Sequence, residues 1–253
     1  MNELPVALVT GASRGIGRFV AEDLLGHGWR VAALARDADE LGRLAAGAGP
    51  ERVLPLVADV TDGPAMAEAC AALGALWAVP DLVVANAGVL TAVGPTWGTD
   101  PDDWWHDIEV NVRGVYTTLR DTVPAMVARG SGRVILLSSG MGRSPAPWSS
   151  AYGASKAAVM HLASSLGAEL AGTGVSAFAI SPGMVRTDMT QWPDALLERH
   201  PELADLPDSA YLPASAAADL VRDLAGGRFD ALSGRFIHAR DDREAMLAEA
   251  TTP

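Results

Sequence analysis

Short, almost unbroken apolar runs alternate with helix-period segments from the first residues of this chain. Val6–Thr10, Trp29–Ala35, Arg52–Val57, Asp81–Ala85, Arg133–Leu137 and Val175–Ile180 read as six strands. Between them Ile16–Leu25, Asp37–Ala46, Asp62–Leu73, about Asp102 to Arg129, and Ser150–Leu170 read as helices, with Asp62 as an N-cap. Continuous apolar runs, as opposed to polar–apolar alternation, suit strands covered by helices on both faces. The pattern predicts a single-domain α/β fold with a doubly wound parallel sheet. No repeat or low-complexity linker divides the 253 residues. Residues 184–213, acidic and punctuated by proline, break the regularity. They are expected to cover a substrate as a lid, with a solvated insertion as the alternative.

Charge narrows the partners. Asp and Glu number 31 against 19 Lys and Arg, a formal net charge of −12. General binding to a nucleic-acid backbone needs clustered cations, so that class is excluded, although a local anion site is not. With 49% hydrophobic residues, wholesale disorder is excluded too. The apolar runs are too short for a membrane span. Met1–Pro5 shows no basic segment ahead of a hydrophobic one, so no signal peptide is expected. Cys70 is the only cysteine, which precludes an intrachain disulfide and suggests a reducing, cytoplasmic setting. Cys70 itself reads as a small buried hydrophobe. His27, His106, His161, His200 and His238 lack metal-ligand spacing, and no metal is expected.

The turn after the first strand, Thr10-Gly11-Ala12-Ser13-Arg14-Gly15-Ile16-Gly17, is rich in glycine. Glycines there permit a tight turn and bring backbone N–H groups close to a pyrophosphate, where the helix N-terminus adds partial positive charge. The spacing is G-x-x-x-G-x-G, not the general G-x-G-x-x-G. The same residues also fit G-x-S-x-G, a nucleophile elbow that would make Ser13 a hydrolase nucleophile served by His200 or His238. An elbow needs an earlier strand for its oxyanion hole, and nothing strand-like precedes Val6. The second strand ends Ala35-Arg36-Asp37. An NAD site typically places an acid there for the ribose 2′-hydroxyl, whereas Arg36, with Arg14 nearby, can pair with a 2′-phosphate. The cofactor reading is therefore NADP(H). NAD(H), with Asp37 on the ribose, is the alternative.

Tyr152 and Lys156 lie at i and i+4 near the start of a helix and share a face. A nearby ammonium favours a tyrosinate and is expected to lower the phenol pKa toward working pH. Such a pair can give a proton to, or take one from, an oxygen during hydride transfer. A bare Y-x-x-x-K is common. Its weight comes from order: glycine turn, Asn86-Ala87-Gly88 after strand four, Ser138-Ser139 after strand five, then Tyr and Lys.

In that order, from Val6 to about Ile237, the sequence resembles the short-chain dehydrogenase/reductase family, most weakly across 184–213. The resemblance implies a Rossmann-like fold and an enzyme moving a hydride between a nicotinamide and a ketone or secondary alcohol. It assigns Tyr152 as general acid or base and Lys156 as the group that lowers its pKa and binds the ribose. Ser139 would bond the substrate carbonyl, and Asn111 would hold a relay water. Around the cofactor it implies Gly11, Ser13, Arg14, Gly15, Ile16, Gly17, Arg36, Asp59, Val60, Asn86, Ala87, Gly88, Pro182, Gly183 and Thr187. A homo-oligomer, dimer or tetramer, is also implied. Ser233–Arg240 departs from the family's V-D-G-G-like ending, which bears on the tetramer more than on catalysis. Ala85 stands where many members have a second Asn.

Trp148, between Ser139 and Tyr152, and Trp192, in the 184–213 segment, are candidate walls of an apolar pocket, with Met141, Met184 and Met189. The expectation is reduction of a bulky apolar or aromatic carbonyl. The alternatives are an NAD-dependent alcohol dehydrogenase and a cofactor-sensing binding protein. An intact Asn111, Ser139, Tyr152 and Lys156 set argues against the sensor.

Overall fold

The computed structural model describes residues 4–191, 197–198, 201 and 208–252. Its centre is a parallel sheet of β1 (Val6–Thr10), β2 (Arg30–Ala35), β3 (Val53–Val57), β4 (Leu82–Ala85), β5 (Gly132–Leu137), β6 (Val175–Ser181) and β7 (Phe236–His238). The strand order is β3-β2-β1-β4-β5-β6-β7. Winding reverses between β1 and β4, and in open α/β sheets ligands bind beyond the strand C-termini at such a point. Around the sheet lie α1 (Gly15–Gly26), α2 (Ala38–Ala48), α3 (Gly63–Leu76), α4 (Pro101–Ile108), α5 (Gly114–Arg129), α6 (Ser150–Glu169), α7 (Ala214–Ala225) and α8 (Arg243–Thr251).

Successive residues of each strand serve opposite faces. In β1, Ala7 and Val9 pack with Val20 and Leu24 of α1 and Val221 of α7. Val6 and Leu8 pack with Met66 of α3, Leu119 of α5 and Val159 of α6. Both strand faces are thus dry, which is why the strands read as unbroken apolar runs. Caps set the helix starts. Asp62 accepts from the Ala65 N–H at 3.1 Å, as its position predicts, and Asp37 accepts from the Glu40 N–H at 3.0 Å.

Two features depart from the sequence reading. The helix expected from about Asp102 to Arg129 is divided by a π turn, Glu109–Arg113, in which the Gly114 N–H reaches back to the Glu109 carbonyl. One residue added to a hydrogen-bond ladder leaves the apolar pattern nearly unchanged, so the pattern does not reveal it. A seventh strand, β7, also joins the sheet edge beside β6. At three residues it is too short to show a period.

Candidate functional site

The C-terminal ends of the strands open into a cleft of about 920 Å³ that runs from Arg36 and Asp59 at one end to Tyr152 and Lys156 at the other. At its middle, Gly11 and Gly15 hold positive φ of 66° and 55°. A Cβ on Gly11 would lie 2.9 Å from the Ala87 Cα, and one on Gly17 would lie 2.3 Å from the Gly11 carbonyl oxygen. The turn is therefore as tight as its spacing predicts. Thr10 and Asn86 brace it. Thr10 Oγ1 accepts from the Asn86 and Ala87 N–H groups at 3.0 and 3.1 Å, and Asn86 Nδ2 donates to the Thr10 carbonyl at 2.8 Å.

Helix α1 starts at Gly15 with no side-chain cap on its first amides and no acid in its first turn. Its N-terminal N–H groups carry partial positive charge beside Ser13 and Ile16 of the cleft wall. That is the donor set a pyrophosphate requires, and the residues present fit a dinucleotide. Ala87, Gly88, Val60, Pro182 and Thr187 line the same wall, whereas Gly17 and Gly183 serve the packing behind it.

The two arginines expected to attract a 2′-phosphate both lie on the cleft, and each faces an acid. Arg36 Nη1 is 3.4 Å from Asp59 Oδ2, and Arg14 Nη1 is 3.8 Å from Asp188 Oδ2. Both pairs are largely exposed, so each contributes little to stability. Partial burial pushes the Asp59 carboxyl up, but bonds from the Thr61 N–H and hydroxyl, with Arg36 beside it, hold it below the usual value. Asp37 caps α2 while bordering the same corner.

At the other end, Tyr152 and Lys156 lie in the first two turns of α6. Lys156 is buried, its Nζ donates to the Leu137 carbonyl at 2.8 Å, and it lies 5.4 Å from the Tyr152 ring centroid. Burial lowers its pKa to about 8. The phenol departs from the sequence expectation. Lost hydration pushes the pKa of the part-buried Tyr152 up to about 12, a bond with the Ser139 side chain opposes this, and the Asp107 charge reinforces it. The ammonium sits toward the ring face, tied to a carbonyl, and does not offset the lost hydration of a phenolate.

The two serines divide their work. Ser138 Oγ donates to the Lys156 carbonyl at 2.8 Å and holds the helix to β5. Ser139 N-caps the short turn Gly140–Gly142, and its side chain bonds the phenol of Tyr152. Asn111, fully buried in the π turn, accepts from the Val89 N–H at 2.8 Å and donates to Ser155 Oγ at 3.0 Å. Wide turns of this kind recur at functional sites.

Of the candidate pocket residues, Met189 lines this cleft, while Met141, Trp148 and Met184 are not on its wall. Met184 pairs with Tyr211, and its carbonyl accepts from the Leu212 N–H at 2.7 Å, so the two ends of the 184–213 segment meet. Trp148 takes a left-handed backbone (φ 66°) just before α6, and its carbonyl accepts from the Gly94 N–H at 2.8 Å. Trp192 and His200 lie outside the described residues. Cys70 is half-buried, and burial pushes its thiol up to about 11. Sequence reasoning missed Asp107, whose one signal was its i, i+4 spacing from Asn111.

Among the described residues no helix is long and apolar enough to cross a membrane, and no three His, Cys, Asp or Glu cluster as metal ligands. A short chain dehydrogenase of Pseudocercospora fijiensis is 35% identical, over 96% of this chain and 82% of its own length. Among solved structures, a 3-oxoacyl-(acyl-carrier protein) reductase from Brucella melitensis in complex with NAD superposes with TM-score 0.82 at 28% identity. That match covers 94% of this chain and 96% of the other. An actinorhodin polyketide ketoreductase with NADPH gives 0.83 at 27% identity, covering 93% and 95%. The short chain dehydrogenase family model matches residues 5–195, and with the braced glycine turn at the middle of the cleft and the Tyr152–Lys156 pair at its end, the chain belongs to that family of nicotinamide-dependent oxidoreductases.

Proposed function

We propose that the chain is an NADP(H)-dependent reductase of bulky apolar or aromatic ketones, with Tyr152 as the proton donor. The observation that carries this reading is the placing of the part-buried Tyr152 beside Lys156 at the end of a cleft whose middle is an uncapped helix N-terminus. When bound, the nicotinamide supplies the hydride for reduction or accepts it in oxidation.

Tyr152 gives its proton to the carbonyl oxygen as negative charge develops there, and Ser139 stabilises that charge by a hydrogen bond. Lys156, fixed by the Leu137 carbonyl, has further N–H bonds that would serve the ribose hydroxyls. Asn111 keeps its helix and the Val89 backbone in register behind them. Gly11, Ser13, Gly15 and Ile16 would hold the pyrophosphate. Asp59 and Val60 would flank the adenine, and Asn86, Ala87, Gly88, Pro182 and Thr187 would form the wall along the ribose and nicotinamide. Met189, on the described part of the 184–213 segment, faces the substrate end of the cleft.

Arg36 and Arg14 support the phosphate-bearing dinucleotide. A second reading, NAD(H), draws on the acids beside them: Asp37, Asp59 and Asp188 leave that corner without net positive charge. Arg36→Ala decides between the two. NADPH affinity should fall roughly 10- to 100-fold, the loss of a charged hydrogen bond, while NADH affinity barely changes. Equilibrium titration of both nucleotides measures it. A native preference for NADH that survives the substitution would establish the second reading.

A further inference from the structure

After β6 the chain turns at Gly183, and Thr187, Asp188 and Met189 then line the cleft. Thr187 Cγ2 stands 3.7 Å from where a Cβ on Gly15 would lie, and Asp188 reaches Arg14 at 3.8 Å. This stretch of wall therefore rests against the turn that would receive the pyrophosphate. Its own structure is slight. Thr190 Oγ1 accepts from the Thr187 N–H at 3.0 Å and donates to the Thr187 carbonyl at 2.9 Å, closing the single turn Asp188–Thr190. That turn buries none of its residues, so neither core packing nor helix propensity fixes where it lies.

Residues 208–212 hold it from outside. Met184 and Tyr211 form a parallel bridge, and the Leu212 N–H donates to the Met184 carbonyl at 2.7 Å. The Arg186 guanidinium lies over the Tyr211 ring, 4.0 Å from its centroid, and pairs with Asp208. Arg240, just past β7, donates to the Ser209 and Ala210 carbonyls at 2.8 and 3.4 Å. Contacts thus run without a break from the sheet edge, through 208–211, to Arg186 and the wall that follows it. The side chains of Arg186 and Asp208 are 65% and 95% exposed. An ion pair so wet contributes little to stability, so its effect is better sought in what it orients. Arg186 is not itself on the cleft wall and acts through the residues it carries.

We propose that Arg186, stacked on Tyr211 and paired with Asp208, is a positioning residue that sets the wall Thr187–Met189 against a bound dinucleotide. The proposal rests on the reading of the cleft as a dinucleotide site. With the clasp made, the wall is ordered before the nucleotide arrives. Without it, binding must supply that ordering, and affinity falls. The clasp does not touch the 2′-phosphate corner at Arg36, so NADPH and NADH should lose affinity alike. Once nucleotide saturates the site the wall is ordered again, and kcat should be nearly unchanged.

The test is equilibrium titration of NADPH and of NADH, beside thermal unfolding, for the wild type, Arg186→Ala, Tyr211→Ala, their double variant and Tyr211→Phe. Arg186→Ala and Tyr211→Ala should each weaken both nucleotides by a similar factor, about three- to tenfold, the scale of an exposed cation–π and ion-pair contact. The double variant should bind little worse than either single one, because the two side chains make one contact. Tyr211→Ala keeps the cation, so its loss cannot be a loss of charge attraction, and Tyr211→Phe keeps the ring face and should bind as the wild type does. Arg186 is exposed, so its replacement leaves the core intact should Tyr211→Ala fail to fold. A lowered melting temperature with unchanged nucleotide affinity would make the clasp a structural contact only and overturn the proposal. A loss confined to NADPH would also overturn it, by making Arg186 a partner of the 2′-phosphate. Wild-type protein that binds neither nucleotide would overturn the reading of the cleft, and the proposal with it.

Discussion

Tyr152→Phe is expected to lower carbonyl reduction by about 10³-fold while leaving dinucleotide binding almost unchanged. General acid catalysis by a positioned side chain contributes roughly 10²- to 10⁴-fold. The substitution removes one oxygen and nothing else. The ring keeps its place on α6 and its contact with Lys156, whose own bond to the Leu137 carbonyl does not involve the phenol. Ser139 retains its bond from the Met141 N–H at 3.2 Å, so the turn that carries it stays formed. The loss should therefore fall on kcat, with little change in the dissociation constant of NADPH, because the missing interaction matters only as charge develops on the substrate oxygen. Single-turnover kinetics at saturating NADPH, beside fluorescence titration of the nucleotide, separate the two quantities.

The second large effect lies at the other end of the catalytic chain of events, in the turn that receives the pyrophosphate. Gly17→Ala is expected to weaken dinucleotide binding by more than tenfold and to lower the melting temperature. The new methyl carbon would lie 2.3 Å from the Gly11 carbonyl oxygen and 2.4 Å from Asn86 Nδ2. The first of these is backbone and cannot rotate away, and the second is the brace that bonds the Thr10 carbonyl at 2.8 Å. Relieving the clash means moving the turn against β4, and overpacking of this kind costs about 1–3 kcal/mol before any effect on ligand binding. Gly26→Ala is the control. It sits in the same helix with nothing within 4 Å of its would-be Cβ, and it should be neutral or slightly stabilising. Thermal unfolding and NADPH titration of both variants measure the difference.

The sheet was legible in the sequence because burial on both faces leaves each strand apolar throughout, as Ala7, Leu8 and Val9 show. The glycine turn was legible because positive φ and close backbone approach leave few other residue types possible at Gly11 and Gly17. The Tyr152–Lys156 pair was legible through its helical spacing. What escaped depends on three-dimensional neighbours. The π turn at Glu109–Arg113 changes one ladder of hydrogen bonds and no apolar position. The acids that face Arg36 and Arg14 escaped because Asp59 and Asp188 are 23 and 174 residues away along the chain. The pKa of Tyr152 was expected to fall because its nearest charge in sequence is Lys156. Folding instead strips water from much of the phenol, and that outweighs the neighbouring charge.

Transfer of label tests the whole account most directly. The protein is incubated with NADPH deuterated at the transferable position and a bulky aryl ketone, and the product is analysed by mass spectrometry. One deuterium on the carbinol carbon, in an alcohol formed mole for mole with the NADPH consumed and absent with Tyr152→Phe, is the predicted result. Tight nucleotide binding with no labelled alcohol from any ketone or aldehyde would contradict it, and would make the chain a sensor of the cofactor rather than an enzyme that uses it.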